Sequence, residues 1–112
     1  MRDMISNQQT VDLTTDTLSG TTPNASSWLD TRGFDAATIE VFTNAGTDAG
    51  TASGFTATLQ ESDTTAAADA TAVAAADAVG GTLTVTVTSD SDDNVLAGKL
   101  GYLGKKRYIR VN

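Results

Sequence analysis

The chain has no cysteine and no histidine. No disulfide, thiolate zinc site or cysteine nucleophile can form, and the commonest general base and transition-metal ligand is missing too. Aromatics are scarce: Trp28 is the only tryptophan, beside Phe34, Phe42, Phe55, Tyr102 and Tyr108. Proline occurs once, at Pro23. No apolar run approaches the ~20 residues that a membrane-spanning helix needs. The opening Met1-Arg2-Asp3-Met4-Ile5 lacks the apolar core of a secretory signal. These absences lead us to expect a soluble chain made in the cytoplasm, working without membrane, metal or cofactor. Its 112 residues suit one domain. Threonine, alanine and glycine crowd the sequence, so the core should be thin, with self-association or docking on a partner adding to stability.

Charge is divided along the chain. All fourteen carboxylates, with only Arg2 and Arg32 against them, fall in residues 1–98. Residues 99–112 hold the other five basic residues and no acid. The net charge of −7 argues against nucleic-acid binding by the body of the protein. Two readings of the basic block stand. Lys99, Lys105, Lys106, Arg107 and Arg110 dock on an acidic partner, or they fold back onto the chain's own acidic strands. Cross-strand pairing of Arg107 and Arg110 with Glu40, Glu61 or Asp63 is ordinary sheet chemistry and carries the greater weight. The second reading also packs Tyr102 and Tyr108 in the core. Lys105 and Lys106 are then the exposed pair.

Period-two patterning dominates. Residues 37–43 place Ile39 and Val41 on one face, with Phe42 among the polar residues of the other, which implies a partly covered second face. Residues 55–61 turn Phe55, Ala57 and Leu59 inward. Residues 83–88 alternate cleanly with threonine on the wet face. Arg107, Ile109 and Val111 share one face of a strand over 106–111. A weaker first strand is expected over 10–18. Residues 44–50 read as a hairpin connection, 19–26 as an exposed loop and 89–94 as an acidic turn. The alanine-rich stretch 65–80 is ambiguous: propensity favours a helix, while the all-β context favours a short strand near Ala70–Ala74 with a compact turn. The expected architecture is a single antiparallel β-sandwich, jelly-roll-like, with residues 1–10 as a flexible or extended arm.

Three blocks carry a resemblance. The first is Trp28-Leu29-Asp30-Thr31-Arg32-Gly33-Phe34-Asp35 and the strand after it. The second is Phe55-Thr56-Ala57-Thr58-Leu59-Gln60-Glu61-Ser62-Asp63, followed by Ala75-Ala76-Asp77-Ala78-Val79-Gly80-Gly81. The third, and most distinctive, is Leu100-Gly101-Tyr102-Leu103-Gly104-Lys105-Lys106-Arg107-Tyr108-Ile109-Arg110-Val111. Together they resemble a family of small tailed-phage proteins encoded among the head genes, described as capsid decoration, cement or structural proteins. Many relatives carry a glycine and an aromatic after the Ser-Asp turn, where this chain has Thr64, Thr65 and alanines. The resemblance implies a β-sandwich on the capsid exterior of the virion, clamping the major capsid protein; a homo-oligomer, dimer or trimer, on the capsid is our separate expectation. A head–tail connector or tail component, and a virion-displayed carbohydrate-binding adhesion module, are the alternatives.

Candidate partner-binding residues are Met4 and Ile5 in the arm, Trp28, Lys105 and Lys106. Trp28 serves equally well as an interface anchor or as a cap on the sandwich. Asp90-Ser91-Asp92-Asp93-Asn94 has alternating oxygen ligands but lacks the glycine and glutamate of a calcium loop, so it reads as a solvated turn. Glu61 and Asp63 are the one carboxylate pair at a strand end, and no cleft accompanies them; we expect no enzyme. Gly33, Gly101 and Gly104 read as turn devices.

Overall fold

A computed structural model describes residues 8–14, 22–42, 55–80, 84–87 and 96–112. Eight strands occur among them: β1 (Leu29–Asp30), β2 (Ala37–Phe42), β3 (Phe55–Ser62), β4 (Thr71–Ala72), β5 (Ala78–Val79), β6 (Thr84–Val87), β7 (Leu96–Tyr102) and β8 (Tyr108–Val111). They form two antiparallel sheets. One runs β1-β8-β3-β4, with β6 also on β3; the other runs β2-β7-β5. No α-helix occurs among the described residues. The protein is all-β and sandwich-like.

Alternation explains which strands face the core. Ile39, Leu100 and Tyr102 from the smaller sheet meet Ala57, Leu59 and Ile109 from the larger one, with Val73 beside them. Leu59, Leu100, Ile109 and Val73 are the largest fully buried side chains. Leu29, Ala37, Val41, Ala78 and Val111 pack against this set. The core is therefore thin, as the composition implies.

The most basic segment takes a central place. β8 pairs β1 through Leu29↔Ile109 and Asp30↔Tyr108. On its other side it pairs β3 from Leu59↔Val111 to Ser62↔Tyr108. Asn112 and Thr58 exchange backbone hydrogen bonds at 2.8 and 2.9 Å. Buried Ser26 adds its N–H to Val111 O at 2.8 Å, and its Oγ accepts from Val111 N–H at 3.0 Å.

The alanine-rich stretch forms no helix. Two single 3₁₀ turns, Ala67–Asp69 and Ala75–Asp77, flank β4. Val73 N–H donates to Leu59 O at 3.1 Å, and its side chain is buried. Isolated alanine helices of this length are marginal, whereas burying Val73 contributes about 1.5–3 kcal/mol. The strand expected near Ala70–Ala74 is present as β4.

Four expectations are corrected. Residues 10–14 form no strand, and the rest of that proposed strand lies outside the described residues. Residues 44–50, expected as a hairpin connection, lie outside the described residues, and β2 and β3 on either side of them belong to different sheets rather than pairing. Phe42 is 65 % exposed, so its face is uncovered there by described residues; a bulge between Val41 and Phe42 interrupts the register. Gly101 lies within β7, opposite Val79, rather than in a turn. The acidic turn at 89–94 and the side chain of Phe55 lie outside what is described.

Leu59 is fully buried within the core cluster. Leu59→Ala should lower unfolding free energy by about 2–5 kcal/mol, read as a shifted urea midpoint. A change below about 1 kcal/mol would contradict the core assigned here.

Candidate functional site

The distinctive third block is a corner followed by a strand. Tyr102 ends β7 and is 2 % exposed. Its hydroxyl donates to Glu61 Oε2 at 2.7 Å and accepts the Lys106 N–H at 3.1 Å. Glu61 stands on β3, in the other sheet, and is 8 % exposed. One phenol thus links the two sheets and holds the connection between β7 and β8. Leu103 N–H adds a bond to Asp77 O at 2.8 Å. Gly104 lies against the ring: a Cβ built there would overlap Cε2, Cζ and the hydroxyl oxygen of Tyr102. What this position requires is room for the ring.

Burial, and then the hydrogen bond to Glu61, push Tyr102 well above the usual tyrosine range. The hydrogen bond to Asp63 pushes Lys106 up. No buried side-chain nitrogen or oxygen among the described residues lacks a partner.

The basic block folds back on the chain, mostly with partners other than those expected. Lys99 Nζ pairs with Glu40 Oε1 at 3.1 Å, its cross-strand neighbour. Lys106 pairs with Asp63. Arg107, which lies just before β8 and not on its apolar face, clamps Asp30 through Nε at 3.2 Å and Nη2 at 2.8 Å. Its guanidinium stands 4.8 Å from the Tyr108 ring centroid. Arg110 Nε donates to Gln60 Oε1 at 2.9 Å, and its guanidinium lies 4.4 Å from the Trp28 ring. Glu61 receives Tyr102 rather than an arginine. Tyr108 is half-buried and not a core residue.

The proposed partner-binding residues are therefore divided. Met4 and Ile5 lie outside the described residues. Trp28 is half-buried, with Arg110 over its ring. Lys106 is exposed but paired. Lys105 is exposed and has no ion-pair partner among the described residues. The carboxylate pair is split as well: Glu61 is buried against Tyr102, while Asp63 is exposed on Lys106.

A second loop, expected from the sequence as a tight turn at Gly33, abuts this corner. Phe34 N–H donates to Thr31 O at 3.1 Å, closing a turn with Gly33 at φ +90°. That backbone conformation favours glycine at this turn position. Thr31 N–H donates to Arg107 O at 2.8 Å. Its hydroxyl reaches Arg107 O at 2.9 Å and Lys106 O at 3.2 Å. Asp30 accepts the Arg32 N–H at 3.0 Å besides holding Arg107. The turn chemistry was readable in Asp30-Thr31-Arg32-Gly33; its attachment to residues 106 and 107 was not. No protein-family model, curated protein or solved structure matches this chain.

Two outcomes test the corner. Gly104→Ala should destabilise the fold by about 1–3 kcal/mol, because the ring must move, visible as a lowered melting temperature. Tyr102 should also set part of the alkaline limb of stability. Its folded-state pKa lies above its unfolded one, so its contribution is intact below about pH 10 and is lost as pH rises further. Urea midpoints should therefore fall more steeply above about pH 10 in the wild type than in Tyr102→Phe. Parallel alkaline limbs would contradict the assignment.

Proposed function

We propose that this protein is a non-enzymatic virion structural protein, a capsid decoration or cement subunit that binds the outer surface of a tailed-phage head. The observation that carries this reading concerns the third block. The residues through which the chain most resembles that family are those on which its fold turns: Tyr102, Gly104 and the β8 segment at the centre of the larger sheet. A likeness at fold-determining positions is stronger support than one on a solvated face, and the two-sheet architecture agrees with it.

The mode of action is many modest contacts repeated over a symmetric lattice. Each copy straddles a boundary between major capsid subunits and resists the pressure of packaged DNA. Multivalency turns weak single contacts into firm attachment. An acid–base enzyme is disfavoured because Glu61 and Asp63 are each engaged in structural bonds. A carbohydrate platform has less support: Tyr102 is buried, Arg110 and Arg107 lie over Trp28 and Tyr108, and the exposed Phe34 and Phe42 stand on separate segments.

A cryo-EM map of the virion carrying this protein tests the proposal. Density over the head, bridging major capsid subunits, is expected. Density confined to the tail, or to a spike making no inter-subunit contact, would overturn it.

A further inference from the structure

Two loops meet here, and each is tied down by hydrogen bonds. The turn 31–34 is tied through Thr31 to the carbonyls of residues 106 and 107. The corner 103–107 is tied through Tyr102 and packed at Gly104. Among the described residues, these loops expose two of the five large apolar side chains that stand in solvent. Phe34 is 46 % exposed and Leu103 53 % exposed. Arg32 and Lys105 are exposed as well.

Arg32 and Lys105 are also the only described cations left without a side-chain partner. Lys99, Lys106 and Arg107 are in ion pairs, and Arg110 is held by Gln60 and Trp28. In a chain of net charge −7, both unpaired cations fall on the same two loops as two of the exposed large apolar side chains. Asp30 and Asp63 nearby are occupied by Arg107 and Lys106; Asp35, next to Phe34, is exposed. The two adjoining loops therefore carry two unpaired cations and two exposed apolar side chains, not a uniformly basic field. Arginine and aromatic side chains supply much of the binding energy at protein interfaces. A surface already rigid before binding loses little conformational freedom on docking.

We infer that the end formed by the turn 31–34 and the corner 103–106 is the docking face, with Phe34 and Leu103 as apolar anchors and Arg32 and Lys105 as orienting charges. Its partner is an acidic protein surface with an apolar depression. This rests on the decoration reading, in which that surface is the outer face of a major capsid subunit. Lys106, one of the residues first suspected, is excluded from the docking charges because Asp63 holds it.

Full-length chain is added to phage heads lacking it, and bound protein is quantified by co-sedimentation. The variants are Arg32→Ala/Lys105→Ala, Phe34→Ala and, as a control outside this face, Lys99→Ala. Phe34→Ala should weaken binding about tenfold or more. The double variant should weaken it about five- to tenfold and flatten its dependence on salt. Lys99→Ala should bind as the wild type does, and the double variant should keep the wild-type melting temperature, since neither side chain it removes has a partner. Equal binding by all variants, or equal weakening by Lys99→Ala, would overturn the docking face while leaving the decoration reading in place. Failure of the wild type to bind heads would overturn both.

Discussion

The chain leaves the smaller sheet at Tyr102 and enters the larger one at Tyr108, and the rest of the fold depends on how that passage is held. A buried glutamate is costly unless its oxygens find donors. Tyr102 supplies one to Glu61 from the opposite sheet. The same hydroxyl takes the N–H of Lys106, a backbone donor that would otherwise need water at the sandwich end. A hydrogen bond to a charged group is worth about 1.5–3 kcal/mol, which matters in a domain with so few large buried side chains. Gly104 follows from this arrangement, since any side chain there displaces the ring.

Charge polarity is resolved by topology. Acids concentrated before residue 99 and bases after it have no local partners along the chain, but the sheets interleave the two regions. β7 lies beside β2, and β8 lies between β1 and β3. Lys99 then meets Glu40, Arg107 meets Asp30 and Lys106 meets Asp63. Each exposed pair contributes only about 0–1 kcal/mol. Their larger effect is on register: a one-residue slip of a strand moves every side chain to the other face and would bury these charges in place of Ile109 and Leu100.

Short-range pattern in the sequence was readable where one face of a strand is buried. The alternation of Ile39 and Val41, and of Ala57 and Leu59, matches their burial because period two leaves a single way to hide them. The strand near Ala72 was legible for a related reason: the stretch offers a helix almost no apolar face. Sheet membership was not legible. Nothing in residues 43–54 announces that β2 and β3 part company, because a hairpin and a crossover between sheets can share one turn composition. The ion-pair partners failed similarly. Charge counts predict that Arg107 finds an acid, but choosing Asp30 over Asp63 needs the order β1-β8-β3. At the candidate site, Lys105 was legible as an exposed cation beside a glycine. Arg32 and Phe34 were not, since only the hydrogen bonds of Thr31 bring their turn to the corner.

On the decoration reading, those hydrogen bonds make docking and stability one problem. Thr31 is anchored on the carbonyls of Lys106 and Arg107, and the Lys106 N–H is anchored on Tyr102. The turn that presents Phe34 is therefore positioned through the same corner that joins the sheets. A partner that grips both loops holds the corner closed and stabilises the native state by mass action, about 2.7 kcal/mol at a hundredfold excess over Kd. Set against the 5–15 kcal/mol typical of small domains, that is a substantial share of the total for a thin core. On the decoration reading, a subunit with marginal stability in solution becomes firm on the head. The corner that Gly104 and Tyr102 build is then what couples attachment at one end of the molecule to the integrity of both sheets.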